Sequence, residues 1–156
     1  IAVQWGLLPR QHLGALGLRL GPLLLLCLSG GALYAVACER PLIPDYILVS
    51  IVLYPFWGLI QQWLVQALLV DNIRALSGAS LPWLIGMGAV GFGAVHIQYP
   101  LLVVATGLMG AVYVYLFQRW RNLWPLALCH GWLGSFFYPW VLDENPTASM
   151  IRLILQ

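Results

Sequence analysis

From Leu13 to Cys38 the chain runs for 26 residues with a single charge, Arg19. A membrane-spanning helix needs about 20 consecutive apolar residues, and this run exceeds that length. Four more apolar stretches follow, at 46–70, 82–97, 100–117 and 124–142. Only 8% of the 156 residues are charged and 62% are hydrophobic, whereas a soluble domain carries about 25% charge. So few charges cannot cover a water-facing surface, so lipid must act as solvent. The expected fold is an all-α, polytopic transmembrane helical bundle with about five spans, forming one membrane domain over 1–156. The third stretch is short and ends at "HIQYP", which predicts a tilted helix or one that finishes inside protein. Turns are marked by "ERPLIPD", "LSGASLP" and "QYP", and the text "GMGAVGFGAV" predicts close helix packing. No cleavable signal peptide is visible. With Ile1 in first place, further residues are expected upstream.

Charge placement predicts an orientation. Arg10, Arg19, Arg74, Arg119 and Arg121 fall on one side with a single acid, Asp71. Arg40 and Arg152 fall on the other with Glu39, Asp45, Asp143 and Glu144. Cytoplasmic segments carry the excess of basic residues, so the N-terminus is expected in the cytoplasm. The tail "TASMIRLILQ" reads as an interfacial helix or the start of another span. A net charge of +2, scattered along the chain, gives no basic patch for nucleic acid. Cys27, Cys38 and Cys129 show no CxxC spacing and read as small hydrophobic residues in helices. Trp57, Trp83, Trp124 and Trp140 fit an interfacial aromatic belt plus packing, with a pigment or ligand platform as the alternative. His12, beside Arg10, reads as interfacial.

The second stretch contains an anomaly. "YPFWGLIQQWLVQALL" places Gln61, Gln62 and Gln66 inside apolar text. Polar residues deep in a span are costly and face protein or water rather than lipid. Gln62 and Gln66 are four apart and share a helix face; Gln61 is one step round, and Gly58 extends the face by a turn. The third stretch carries Phe92 and His96 at the same spacing, and the fifth carries His130 and Gly134. At about 1.5 Å rise per residue, Gln61 and Gln62 lie roughly 14 Å, His130 roughly 9 Å and His96 roughly 20 Å from the cytoplasmic end. One inward-facing polar pocket could gather Gln62, Gln66, His96 and His130. Buried glutamines also knit helices together by hydrogen bonds, and a lone histidine in a bundle is commonly a satisfied structural residue. Two histidines make half a zinc ligand set and glutamine is a poor third ligand, so no metal or other cofactor is expected.

The order of these pieces resembles the CPBP family of CAAX-prenyl-protease-like and bacteriocin-processing intramembrane proteases, over a core at 54–137. That family shows EExxxR, then FxxxH, then HxxxN or HxxxD on separate helices. Here the second motif is intact as "FGAVH", Phe92 to His96. The third begins in "LWPLALCHGWLG" at His130, but its last position is Gly134. The first reads "QQWLVQ", with Gln61 and Gln62 at the paired glutamates and Gln66 at the arginine. The resemblance implies a proteolytic site in which a glutamate activates water and histidines assist. Glutamine keeps that shape without the base, and general-base help is worth about 10²–10⁴ in rate. A buried arginine without its carboxylates would be an uncompensated cation, so its replacement by Gln66 belongs to the same neutralisation.

Three functions compete at this level. The first is a non-catalytic family member, a pseudoprotease acting as a structural or binding subunit of a larger membrane complex, with lipids and other integral membrane proteins as partners. Its contact surface would use Gly86, Gly107 and Gly110, the aromatic span ends, and the arginine pair Arg119 and Arg121. The second is an active protease using His96 and His130 with a non-standard base. The third is a pigment- or haem-binding subunit. The expected location is the bacterial cytoplasmic membrane.

Overall fold

The computed structural model describes residues 13–146 and 148. Arg10, His12 and Arg152 and most of the tail "TASMIRLILQ" lie outside the described residues. Helix α1 is Leu13–Ala37, α2 is Ile47–Gln62, and a π-helical segment, π1, follows at Trp63–Val70. Then come α3 (Asp71–Ser77), α4 (Leu81–Ala94), α5 (Pro100–Trp120), α6 (Trp124–Phe137) and a second π segment, π2 (Tyr138–Leu142). No strand occurs among the described residues. This is the all-α, polytopic architecture expected. An apolar solvent leaves the backbone no outside hydrogen-bond partner, so each spanning segment closes its own bonds as a helix. By length and composition Arg19–Ala37, Ile47–Ser77 and Pro100–Trp120 are each able to cross a membrane, and Leu81–Ala94 is a shorter apolar helix. Leu48, Val52 and Phe56 stand exposed at i, i+4 and i+8 on α2, the stripe that lipid would cover.

Helix ends follow local chemistry. Ser80 and Tyr99 are extended N-caps, and each helix then has proline in its first turn, Pro82 or Pro100, where a missing N–H removes no helical bond. At Gly78, with φ +65°, the chain turns left-handed and its N–H bonds the Arg74 carbonyl at 3.0 Å. The second helical run therefore reaches Ser77, seven residues past the apolar text. Its polar last turns close on themselves: Asn72 Nδ2 donates to the Leu68 carbonyl and Ser77 Oγ to that of Ile73.

The described chain divides into two compact units, with the division at Ile60/Gln61 and again at Leu123/Trp124. In the unit holding Gln61–Leu123, α4 and α5 meet along small residues. A Cβ added at Gly88 would sit 2.3 Å from Val114 Cγ2, and one at Gly110 would sit 2.6 Å from the Gly88 carbonyl and 2.9 Å from Phe92 Cβ. Val70, Leu84 and Val114 form the fully buried apolar centre of this unit. In the other unit α2, through Ile60, meets α6. A Cβ at Gly131 would fall 2.4 Å from Pro55 N and Cα, and one at Gly58 would fall 2.8 Å from the Ala127 carbonyl. Main chain lies on main chain at both points, the close approach that small residues permit in membranes. Trp140 also belongs to this unit's packing: it is buried, its Nε1 donates to the Leu42 carbonyl at 3.1 Å, and its ring lies 4.5 Å from that of Phe136. Trp83 and Trp124 are exposed, as belt residues would be.

Candidate functional site

Gln62 and Gln66 are both completely buried, and Gln61 is half-buried. Gln66 Nε2 donates to Gln62 Oε1 at 3.2 Å. An amide-to-amide bond thus links the two along one helix face. Gln66 Oε1 is buried without a hydrogen-bond partner among the described residues. The backbone changes at this point. Gln62 is the last residue of α2, and from Trp63 the helix widens to the π form, with the Asp71 N–H reaching the Gln66 carbonyl five residues back. Stretches of π-helix are rare and concentrate at functional sites. No sequence signal announces this one, because the same residues would make an ordinary α-helix.

Phe92 is buried on α4, but His96 stands beyond the helix end in the turn that leads to α5. The expectation that His96 lies on the span is corrected by two residues: α4 ends at Ala94. The ring still faces back, with Nδ1 2.8 Å from the Phe92 carbonyl. A carbonyl can only accept, so Nδ1 donates to it, and Nε2 is the ring nitrogen left outside this bond. The last carbonyls of a helix lack partners within it, and His96 satisfies one of them. Thr106 Oγ1 lies 3.1 Å from the same carbonyl and 2.7 Å from that of Leu102. The Phe–x–x–x–His spacing thus has a local structural reason, a side chain capping its own helix one turn back.

His130 is buried on α6. At Gly134, one turn on, a Cβ would lie 2.5 Å from Tyr54 Cε1 and 2.9 Å from Cδ1. Tyr54 is itself only 7% exposed, so its ring has little room to retreat. Its side chain shares a hydrogen bond with that of Tyr138, and the two rings lie edge to face at 6.1 Å. The space that an Asn or Asp side chain at 134 would enter is therefore filled by Tyr54. Sequence reasoning missed this residue, since nothing in "YPFWG" says which distant helix it meets.

The remaining candidates separate. Gly86 is exposed with nothing within 4 Å of a Cβ position, whereas Gly107 and Gly110 are taken up against Ala89, Gly88 and Phe92 in the α4–α5 contact. The three glycines do not share a free face. Arg119 is exposed. Arg121 is not its free companion: both of its terminal nitrogens bond the Asp71 carboxylate, and its guanidinium lies 4.5 Å from the Phe117 ring centre. Gln118 Nε2 donates to Asp71 Oδ1 at 2.9 Å, and Arg74 Nη1 donates to Gln118 Oε1. The one carboxylate of this unit is thus enclosed by an arginine and an amide. Among the described residues no three His, Cys, Asp or Glu side chains gather.

The model of the family described as type II CAAX prenyl endopeptidase Rce1-like matches residues 43–136. No curated protein and no solved structure matches the chain significantly.

Proposed function

The chain belongs to the type II CAAX prenyl endopeptidase Rce1-like family, and from that premise we propose that it is a member without proteolytic chemistry. As an integral membrane protein it would serve as a structural or binding subunit of a larger membrane assembly. We place it in the bacterial cytoplasmic membrane with its N-terminus cytoplasmic. The observation that carries this reading is the Gln66-to-Gln62 bond. Where the family's first motif has a carboxylate to activate water, this chain has two buried amides that bond each other, and an amide has no useful proton affinity near neutral pH. Tyr54 against Gly134 supports the same reading at the third motif. So does Asp71, the only acid in its unit, whose carboxylate is held by Arg121. The open Gly86 and the exposed Trp83 on α4 are the small-residue and aromatic contacts a membrane partner would use.

One observation favours the active-protease reading: His96 Nε2 takes no part in the bond that Nδ1 makes to the Phe92 carbonyl. Two experiments separate the readings. The purified chain should leave prenylated CAAX peptides and transmembrane substrates uncut, and mild-detergent purification should bring down a membrane partner that Gly86→Leu releases. Cleavage by the natural sequence that disappears in His96→Ala would overturn the non-catalytic reading.

A further inference from the structure

We propose that a pocket at the Arg-rich end of α3 and α5 binds the phosphate of an anionic membrane phospholipid. The pocket is open, measures about 220 Å³, and is lined by Arg74, Leu81, Tyr115, Gln118 and Arg119. That is several times the ~30 Å³ share of one water, so a phosphate group fits. The charge balance around it is uneven. Asp71 is the only acid in this unit, and its carboxylate is already held by Arg121 and Gln118. Arg74 bonds only the neutral carbonyl oxygen of Gln118, and Arg119 has no hydrogen bond or ion pair among the described residues. Two guanidinium groups therefore border one pocket without a carboxylate between them. Guanidinium groups suit phosphate oxygens through paired N–H donors.

The rest of the lining selects the source of that phosphate. Leu81 and the Tyr115 ring, itself edge to face with Trp120 at 6.4 Å, give the pocket an apolar wall. A free phosphate ion gains nothing from such a wall, whereas the glycerol and upper acyl chain of a phospholipid do. Basic pockets between spans at the cytoplasmic side are where lipid head groups are held. The site is independent of whether the family's chemistry survives in this chain.

Native mass spectrometry of the full chain in detergent, loaded with phosphatidylglycerol or phosphatidylcholine, tests the proposal. Phosphatidylglycerol should be retained in preference to phosphatidylcholine. Arg74→Gln and Arg119→Gln should each lower its occupancy about fivefold, the factor equivalent to one basic contact at an anionic surface. Arg40→Gln, which removes the same charge from the other unit, should leave it unchanged. Arg119 holds no internal bond, so Arg119→Gln keeps the parent's thermal melt. Equal retention of both lipids, an unchanged occupancy in Arg119→Gln, or an equal loss in Arg40→Gln would overturn the site. Displacement of the lipid by millimolar inorganic phosphate would overturn the lipid as its source.

Discussion

The two motif regions depart from the family's pattern in opposite ways. At Gln61 and Gln62 the side chains keep the length and planarity of glutamate and lose only its charge, and at Gln66 a shorter neutral amide stands in the arginine's place. At Gly134 the side chain itself is gone, and the Tyr54 ring occupies its place. The first departure is mainly electrical; the second is steric, and a distant residue maintains it. A change of charge alone can be undone at one position, but a filled space cannot be reopened without moving whatever fills it.

The largest effect should come from the steric region. Gly131→Ala sets a methyl 2.4 Å from the Pro55 main chain, and because backbone cannot step aside, the loss of stability should be about 3 kcal/mol or more, read by thermal melting in detergent. Survival of the helix contact at parental stability would break the comparison. Next, Gly134→Asn should destabilise by about 1–3 kcal/mol and gain no activity. Tyr54→Ala should relieve part of that loss, with a coupling of about 0.5–3 kcal/mol in a double-mutant cycle; strict additivity would mean the ring does not hold the space. In the electrical region the effect should not exceed that of Gly134→Asn. Gln62→Leu leaves the Gln66 amide without its acceptor and should cost about 1–3 kcal/mol, while Gln62→Leu with Gln66→Leu should recover part of it, since no buried Gln66 amide is then left without its acceptor.

The smallest effect is in pH. The glutamine pair has no proton to exchange, so its contribution is flat. Tyr46, in the link before α2, donates to the Glu144 carbonyl at 3.2 Å. Burial, and secondly the Asp143 carboxylate, push its phenol above the ordinary value. The folded chain then holds that proton longer than the unfolded one. The contribution is complete below about pH 10 and is lost as pH rises through the raised value. Tyr46→Phe should flatten that alkaline decline, and a decline that persists unchanged would assign it elsewhere.

The helices were legible because apolar runs and prolines report on single segments: α4 and α5 begin where Pro82 and Pro100 announce them. The Phe92–His96 spacing was legible as a motif, but its capping role was not, because the helix end at Ala94 depends on the turn that follows. The polar last turns, 71–77, were invisible to an apolarity argument, since their stability lies in bonds such as Asn72 to Leu68. The pairing of Arg121 with Asp71, the packing of Gly107 and Gly110 against α4, and Tyr54 over Gly134 all join residues far apart in sequence. No periodicity carries that information. The widening at Trp63–Val70 is a choice of hydrogen-bond register, which composition does not encode.

The contact of Gly131 with Pro55 also sets a schedule. The two residues are 76 positions apart, and at about 5–20 residues per second a ribosome needs some ~4–15 s between them. Throughout that interval α2 has entered the membrane with Gly58 and Pro55 uncovered, its one groove open to lipid or to the insertion machinery. A seam that closes late in synthesis is thus one where main chain leaves no room for an added atom. A nascent chain halted before α6 should therefore be the form most exposed to degradation.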